Sequence, residues 1–166
     1  MRNKRRQFVM AKIRVQEACG RAGKVIAARI WPGTDLIEGF EEACKKNGIK
    51  YAYVTCFGSF ATAGYMYLVP QANAKVGAGY GDVLKKEGPI EFLSGTGVVC
   101  QKDGGYDTHF HGVMCDKEGK VFGGHMVKGK NPALTTIDVI IFEVDGVEML
   151  RCADEETGLT QFYPTK

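Results

Sequence analysis

Thr108-His109-Phe110-His111-Gly112-Val113-Met114-Cys115-Asp116-Lys117-Glu118-Gly119-Lys120-Val121-Phe122-Gly123-Gly124-His125-Met126 holds all three histidines of the chain. A strand sends residues i and i+2 to one face, so His109 and His111 can aim at one point. Asp116 to Lys120 has the chemistry of a three-residue hairpin loop, with a type I turn at Lys117-Glu118 and Gly119 supplying the left-handed residue of a G1 bulge. That turn pairs residues whose numbers sum to 236. His111 then lies opposite His125, with β-carbons roughly 4.5–5.5 Å apart, and His109 lies on the diagonal. In the same register Gly112 faces Gly124 on the other side, leaving a flat patch where another backbone, a helix or a neighbouring subunit could lie close.

Three neutral imidazoles suit a borderline metal such as zinc, and three protein ligands with an open fourth position mark a reactive site rather than a closed structural one. Zinc is the expected ion, with iron, nickel or manganese as other choices. Cys115 shares the histidine face, but its expected neighbour is Val121, displaced from the His111–His125 pair. The alternative is three histidines on a polar sheet face that bind nothing.

Outward from this hairpin, 166 residues with 45% apolar content suffice for one domain with its own core. The six cysteines are widely spread, form no Cys-x-x-Cys pair and follow no secretory signal, which predicts reduced thiols in a cytoplasmic protein. Phe8-Val9-Met10-Ala11 is too short for a signal peptide or a membrane span. The net charge of +3 conceals an imbalance: residues 1–29 hold nine Lys/Arg against one acid, Glu17. Residues 1–15 therefore read as a basic amino-terminal arm and first strand, and residues 16–166 as the domain. Such an arm could contact DNA phosphates, steer an anionic substrate, or simply be solvated.

Lys24 to Trp31 is a predicted strand stopped by Pro32-Gly33. A helix follows, with Thr34 as expected N-cap, Leu36, Ile37, Phe40, Ala43 and Cys44 as its apolar stripe, and Gly48 as terminator. Tyr51–Phe57 and Thr62–Leu68 read as two strands joined through Gly58-Ser59. Residues 70–88, rich in glycine, form a long connection that could be a mobile lid. It lacks a complete phosphate-loop pattern. Ile90 to Val99 is a long strand, and Thr135–Val144 with Glu148–Cys152 a hairpin across Asp145-Gly146. One clear helix among many strands predicts an α+β fold with a mainly antiparallel sheet.

The order of landmarks resembles the PPC domain, shared by plants and prokaryotes, which in plants accompanies an AT-hook. The pieces are Pro32-Gly33-Thr34-Asp35-Leu36, Phe57-Gly58-Ser59, Glu87-Gly88-Pro89-Ile90-Glu91-Phe92-Leu93-Ser94, His109-Phe110-His111, Gly119 through His125, and Arg151 with Asp154. The pairing of His-x-His with Gly-Gly-His is specific to prokaryotic members. The resemblance implies a homotrimer and a metal held by His109, His111 and His125. It also implies a fold similar to acetolactate decarboxylase and to a zinc-dependent ester hydrolase, which use three histidines on a sheet. Prokaryotic members are often labelled DNA-binding, yet no Arg-Gly-Arg-Pro AT-hook core is present here.

Two functions follow as expectations. In the first, a zinc-dependent hydrolase or lyase, the metal activates water or polarises a carbonyl of a small molecule, with Glu91 the candidate base and Arg151 the candidate anion clamp. In the second, the metal is structural, and the protein is a DNA-associated regulatory or scaffold module. Glu91 and Arg151 could equally form an ordinary ion pair.

Overall fold

The computed structural model describes residues 13–166, so most of the basic arm, residues 1–12, lies outside the described residues. Residues 13–20 carry no strand. The elements run β1 (Arg21–Ile30), α1 (Leu36–Lys46), β2 (Ala52–Met66), β3 (Leu68–Pro70), β4 (Ala78–Tyr80), β5 (Leu84–Val99), β6 (Gln101–Lys102), β7 (Gly105–Tyr106), β8 (His109–Cys115), β9 (Val121–Met126), β10 (Ala133–Asp145), β11 (Glu148–Ala153) and β12 (Thr160–Thr165). Six strands form the main sheet in the order β1-β10-β2-β5-β8-β9, all antiparallel, and the end of β2 also pairs with β9. The expected α+β architecture with one principal helix is what these residues build.

Alternation divides the main sheet into two faces. Val54 and Cys56 on β2, Phe110 and Met114 on β8, and Val139 and Ile141 on β10 are buried against the helix side. The helix contributes Leu36, Ile37, Phe40 and Cys44, the stripe expected from its periodicity. Its N-cap is Asp35 rather than Thr34. Asp35 Oδ1 accepts from the Ile37 and Glu38 amides while Oδ2 accepts from the Asn131 amide at 2.8 Å. A carboxylate can cap the helix and hold a second segment at once, which a single hydroxyl oxygen does less well.

Three sequence expectations give way to sheet context. Tyr51–Phe57 and Thr62–Leu68 are not two strands joined at Gly58-Ser59; they merge into the 15-residue β2. Gly58 pairs with Ile137 on one side and Phe92 on the other, so neighbours on both edges carry the strand through a local bulge. Asp145-Gly146 does not close a hairpin between β10 and β11. Both edges of β10 are already occupied, by β1 and β2, so the chain steps into a second sheet, β12-β11-β6-β7. There β11 runs antiparallel to β12 and meets β6 in parallel at Leu150 and Gln101. Finally, residues 70–88 are no long structureless connection: β3 and β4 pair as a small hairpin, and β5 begins at Leu84.

The open face of the main sheet is continuous with the histidines. Ala27, Ile140, Thr55, Thr96, His111 and His125 are successive cross-strand neighbours over all six strands. The adjacent row reads Val25, Phe142, Tyr53, Val98 and His109. The histidines thus occupy one end of a face whose other end is apolar and exposed.

Candidate metal centre

The hairpin forms in the expected register, with His111 opposite His125, Gly112 opposite Gly124 and Cys115 opposite Val121. Asp116 Oδ1 accepts from the Glu118 and Lys120 amides at 3.1 and 2.9 Å, and Gly119 takes φ 77°, as the turn requires. Lys86 Nζ ties Asp116 Oδ2 to β5 at 2.9 Å. On the far side, Gly124 at φ 154° lets the hairpin lie close to β2, since a Cβ there would collide with the Met66 carbonyl. That approach pairs Met66 with His125.

The three rings form a compact triangle with centroids 4.9, 5.1 and 5.4 Å apart. One ligating nitrogen from each lies within 4.8 Å of the others, and His109 Nε2 is 3.0 Å from His111 Nε2. Two outer contacts complete the arrangement. The Tyr80 hydroxyl is 3.3 Å from His125 Nδ1, with the rings 4.9 Å apart. Arg151 Nη1 is 3.4 Å from His109 Nδ1, while Nη2 donates to the Thr160 carbonyl at 3.0 Å.

Of the candidate catalytic residues, the fold brings Arg151 to the histidines and leaves Glu91 apart. Glu91 pairs with Cys115, four positions along β8 from His111, or about 13 Å at the usual strand rise. It is exposed. Nothing local in Gly79-Tyr80-Gly81 foretells that β3 will pair with β4 and turn Tyr80 onto His125.

Residues 17–145 match the Plants and Prokaryotes Conserved (PCC) domain, the PPC domain that the motifs resemble. The chain belongs to this family. A PPC protein from Pyrococcus horikoshii is 26% identical, with a TM-score of 0.76 over 92% of this chain and 99% of that one. A protein from Archaeoglobus fulgidus described as metal-containing is 29% identical, with a TM-score of 0.72 over 90% of this chain and 99% of that one. A Bacteroides thetaiotaomicron protein, described as a presumed DNA-binding protein, is 16% identical with a TM-score of 0.70, over 86% of this chain and 96% of that one, and shows the fold alone. Acetolactate decarboxylase from Bacillus subtilis aligns at a TM-score of 0.43, too loosely to argue from. No curated protein matches this chain.

The electrostatics of this PCC-domain centre favour unprotonated imidazoles. Burial pushes His109 down from 6.5 to about 4, helped by the Arg151 charge and by His111 and opposed by Asp107. Burial and the two neighbouring imidazoles, with Arg151 behind them, bring His125 to about 4. Burial also lowers His111. Ligand nitrogens free of protons near neutrality are what a metal requires.

In ion-free protein this fixes a sign. Above pH 6.5 the imidazoles are neutral both folded and unfolded; between 6.5 and about 4 the unfolded chain takes up protons that folded His109 and His125 refuse. Stability is therefore lost as pH falls through that window. With chelator present, the thermal midpoint of a His109→Ala/His125→Ala variant is expected to fall less than that of the parent over the same range. Equal falls would contradict the shifts.

Proposed function

We propose that this PCC-domain protein is a homotrimer whose His109, His111 and His125 hold a divalent ion, zinc in the first instance, and that the centre acts on a small molecule. The observation that carries the proposal is the convergence of three imidazole nitrogens within 4.8 Å with no other protein donor in the cluster, among the described residues. Cys115, the nearest plausible fourth ligand by sequence, sits opposite Val121. A site of three imidazoles leaves room for an outside ligand.

A divalent ion held there supplies Lewis acidity toward a carbonyl or a water. The chain's own residues do the positioning. Phe110, rooted in the core between His109 and His111, fixes their common direction, and Tyr80 holds the ring of His125 through Nδ1. Glu91 as base would need another chain or a large movement to reach the site. The trimer is supported by the open sheet face, where Val25 and Phe57 are 61% and 59% exposed and Tyr53 packs on Phe142 at 6.1 Å. Among the described residues no helix is long and apolar enough to cross a membrane. The second role, a DNA-associated module with a structural metal, rests on the basic residues 1–29.

Protein made without a polyhistidine tag and dialysed against metal-free buffer is expected to retain about one divalent ion per chain and to scatter light as a trimer. Loss of all metal, with none regained on adding zinc, would remove the proposed centre; a monomer would remove the proposed assembly.

A further inference from the structure

Resting on the metal centre proposed above, we infer that its ligand is a small carboxylate, held jointly by the open metal position and Arg151. The reason lies in where protons and charges go. Arginine has only donors, so the contact between Arg151 Nη1 and His109 Nδ1 makes Nδ1 an acceptor. The proton of neutral His109 is then on Nε2, 3.0 Å from His111 Nε2, which accepts it.

An ion held by His109 and His111 on the side where their Nε2 atoms meet would displace that proton. Neutral His109 must then carry its hydrogen on Nδ1, donor facing donor against the Arg151 guanidinium. Metal-bound histidines usually place a carboxylate or carbonyl at this position, not a cation. Loading the centre therefore frees Nη1 and leaves it needing an acceptor.

Arg151 has little else to turn to. It forms no salt bridge among the described residues, its Nη2 is spent on the Thr160 carbonyl, and its Nε is buried without any partner. Three neutral imidazoles do not reduce the charge of a divalent ion, so cation and guanidinium would stand side by side uncompensated. A carboxylate resolves each problem, with one oxygen for the ion and the other for the guanidinium. His111 is exposed and lines an open cleft of about 290 Å³ with Ser94, Thr96 and Val113.

The test uses the full chain loaded with cobalt(II), whose visible absorption reports its ligands, titrated with acetate and, separately, with neutral acetamide. Acetate is expected to change the spectrum saturably and acetamide to leave it unchanged. Arg151→Gln is expected to weaken acetate at least about tenfold, the scale of a lost charge-assisted bond, and Arg151→Lys to recover part of it. Equal responses to acetate and acetamide in the parent protein, or an unchanged acetate affinity in folded Arg151→Gln, would overturn the inference while the metal centre stood. A parent protein that binds no cobalt would overturn both.

Discussion

Replacing His125 with alanine is expected to lower metal affinity by more than about 100-fold. Loss of an outer-shell partner typically costs 10–100-fold, and loss of one of three direct ligands exceeds that. The hairpin register leaves no substitute: the residue opposite His111 is fixed, and its neighbours in β9 are Gly124 and the buried core residue Met126. The exchange should leave the fold intact, because His125 is only half-buried and faces the open side of the sheet. Tyr80→Phe removes only the hydroxyl near His125 Nδ1 and belongs in the smaller class, at about tenfold. Competition against a chromophoric chelator measures both. An affinity for His125→Ala within tenfold of the parent would mean that the three imidazoles do not act as one ligand set.

The histidine hairpin was legible because its determinants are local. Asp116 and Gly119 set the turn, the turn sets the register, and the register places His125 against His111 without reference to the rest of the chain. The helix was legible for the same reason, down to Phe40 and Cys44 on its buried stripe. What failed depended on partners distant in sequence. Gly58-Ser59 carries turn chemistry, yet Ile137 and Phe92 flank Gly58 and keep β2 extended. Asp145-Gly146 has hairpin chemistry, yet β10 offers β11 no free edge. Among the site residues the same division holds. Residue type alone singles out Arg151 in the sequence, and β11, paired with β12 in the second sheet, carries it to His109. Residue type singles out Glu91 equally, and the register of β5 on β8 puts it opposite Cys115.

Phe110→Ala is expected to destabilise the ion-free protein by about 3–5 kcal/mol, the usual range for deleting a buried phenyl ring. Phe110 is fully buried and packs on Phe40 of α1 with centroids 5.4 Å apart. The opposing strand makes space for it with glycine: a Cβ at Gly95 or Gly97 of β5 would run into the Phe110 ring. The Phe92 ring of the same strand reaches the space over Gly95 beside Phe110 and can collapse part-way into the hole, which places the cost toward the middle of that range. Against a typical total of 5–15 kcal/mol, such a loss leaves a marginal domain. The same ring roots the strand between His109 and His111, so its removal should also blur their spacing and weaken metal binding. Saturating metal then works in the opposite direction, since an ion at 100 times its dissociation constant stabilises the folded chain by about 2.7 kcal/mol. Urea unfolding with chelator, and again with excess zinc, separates the two effects. The midpoint should drop sharply in chelator, recover in part with zinc, and recover less than the parent gains if the ligand geometry has loosened. A loss below about 1 kcal/mol in chelator would show that the histidine strand does not depend on this ring for its place in the core.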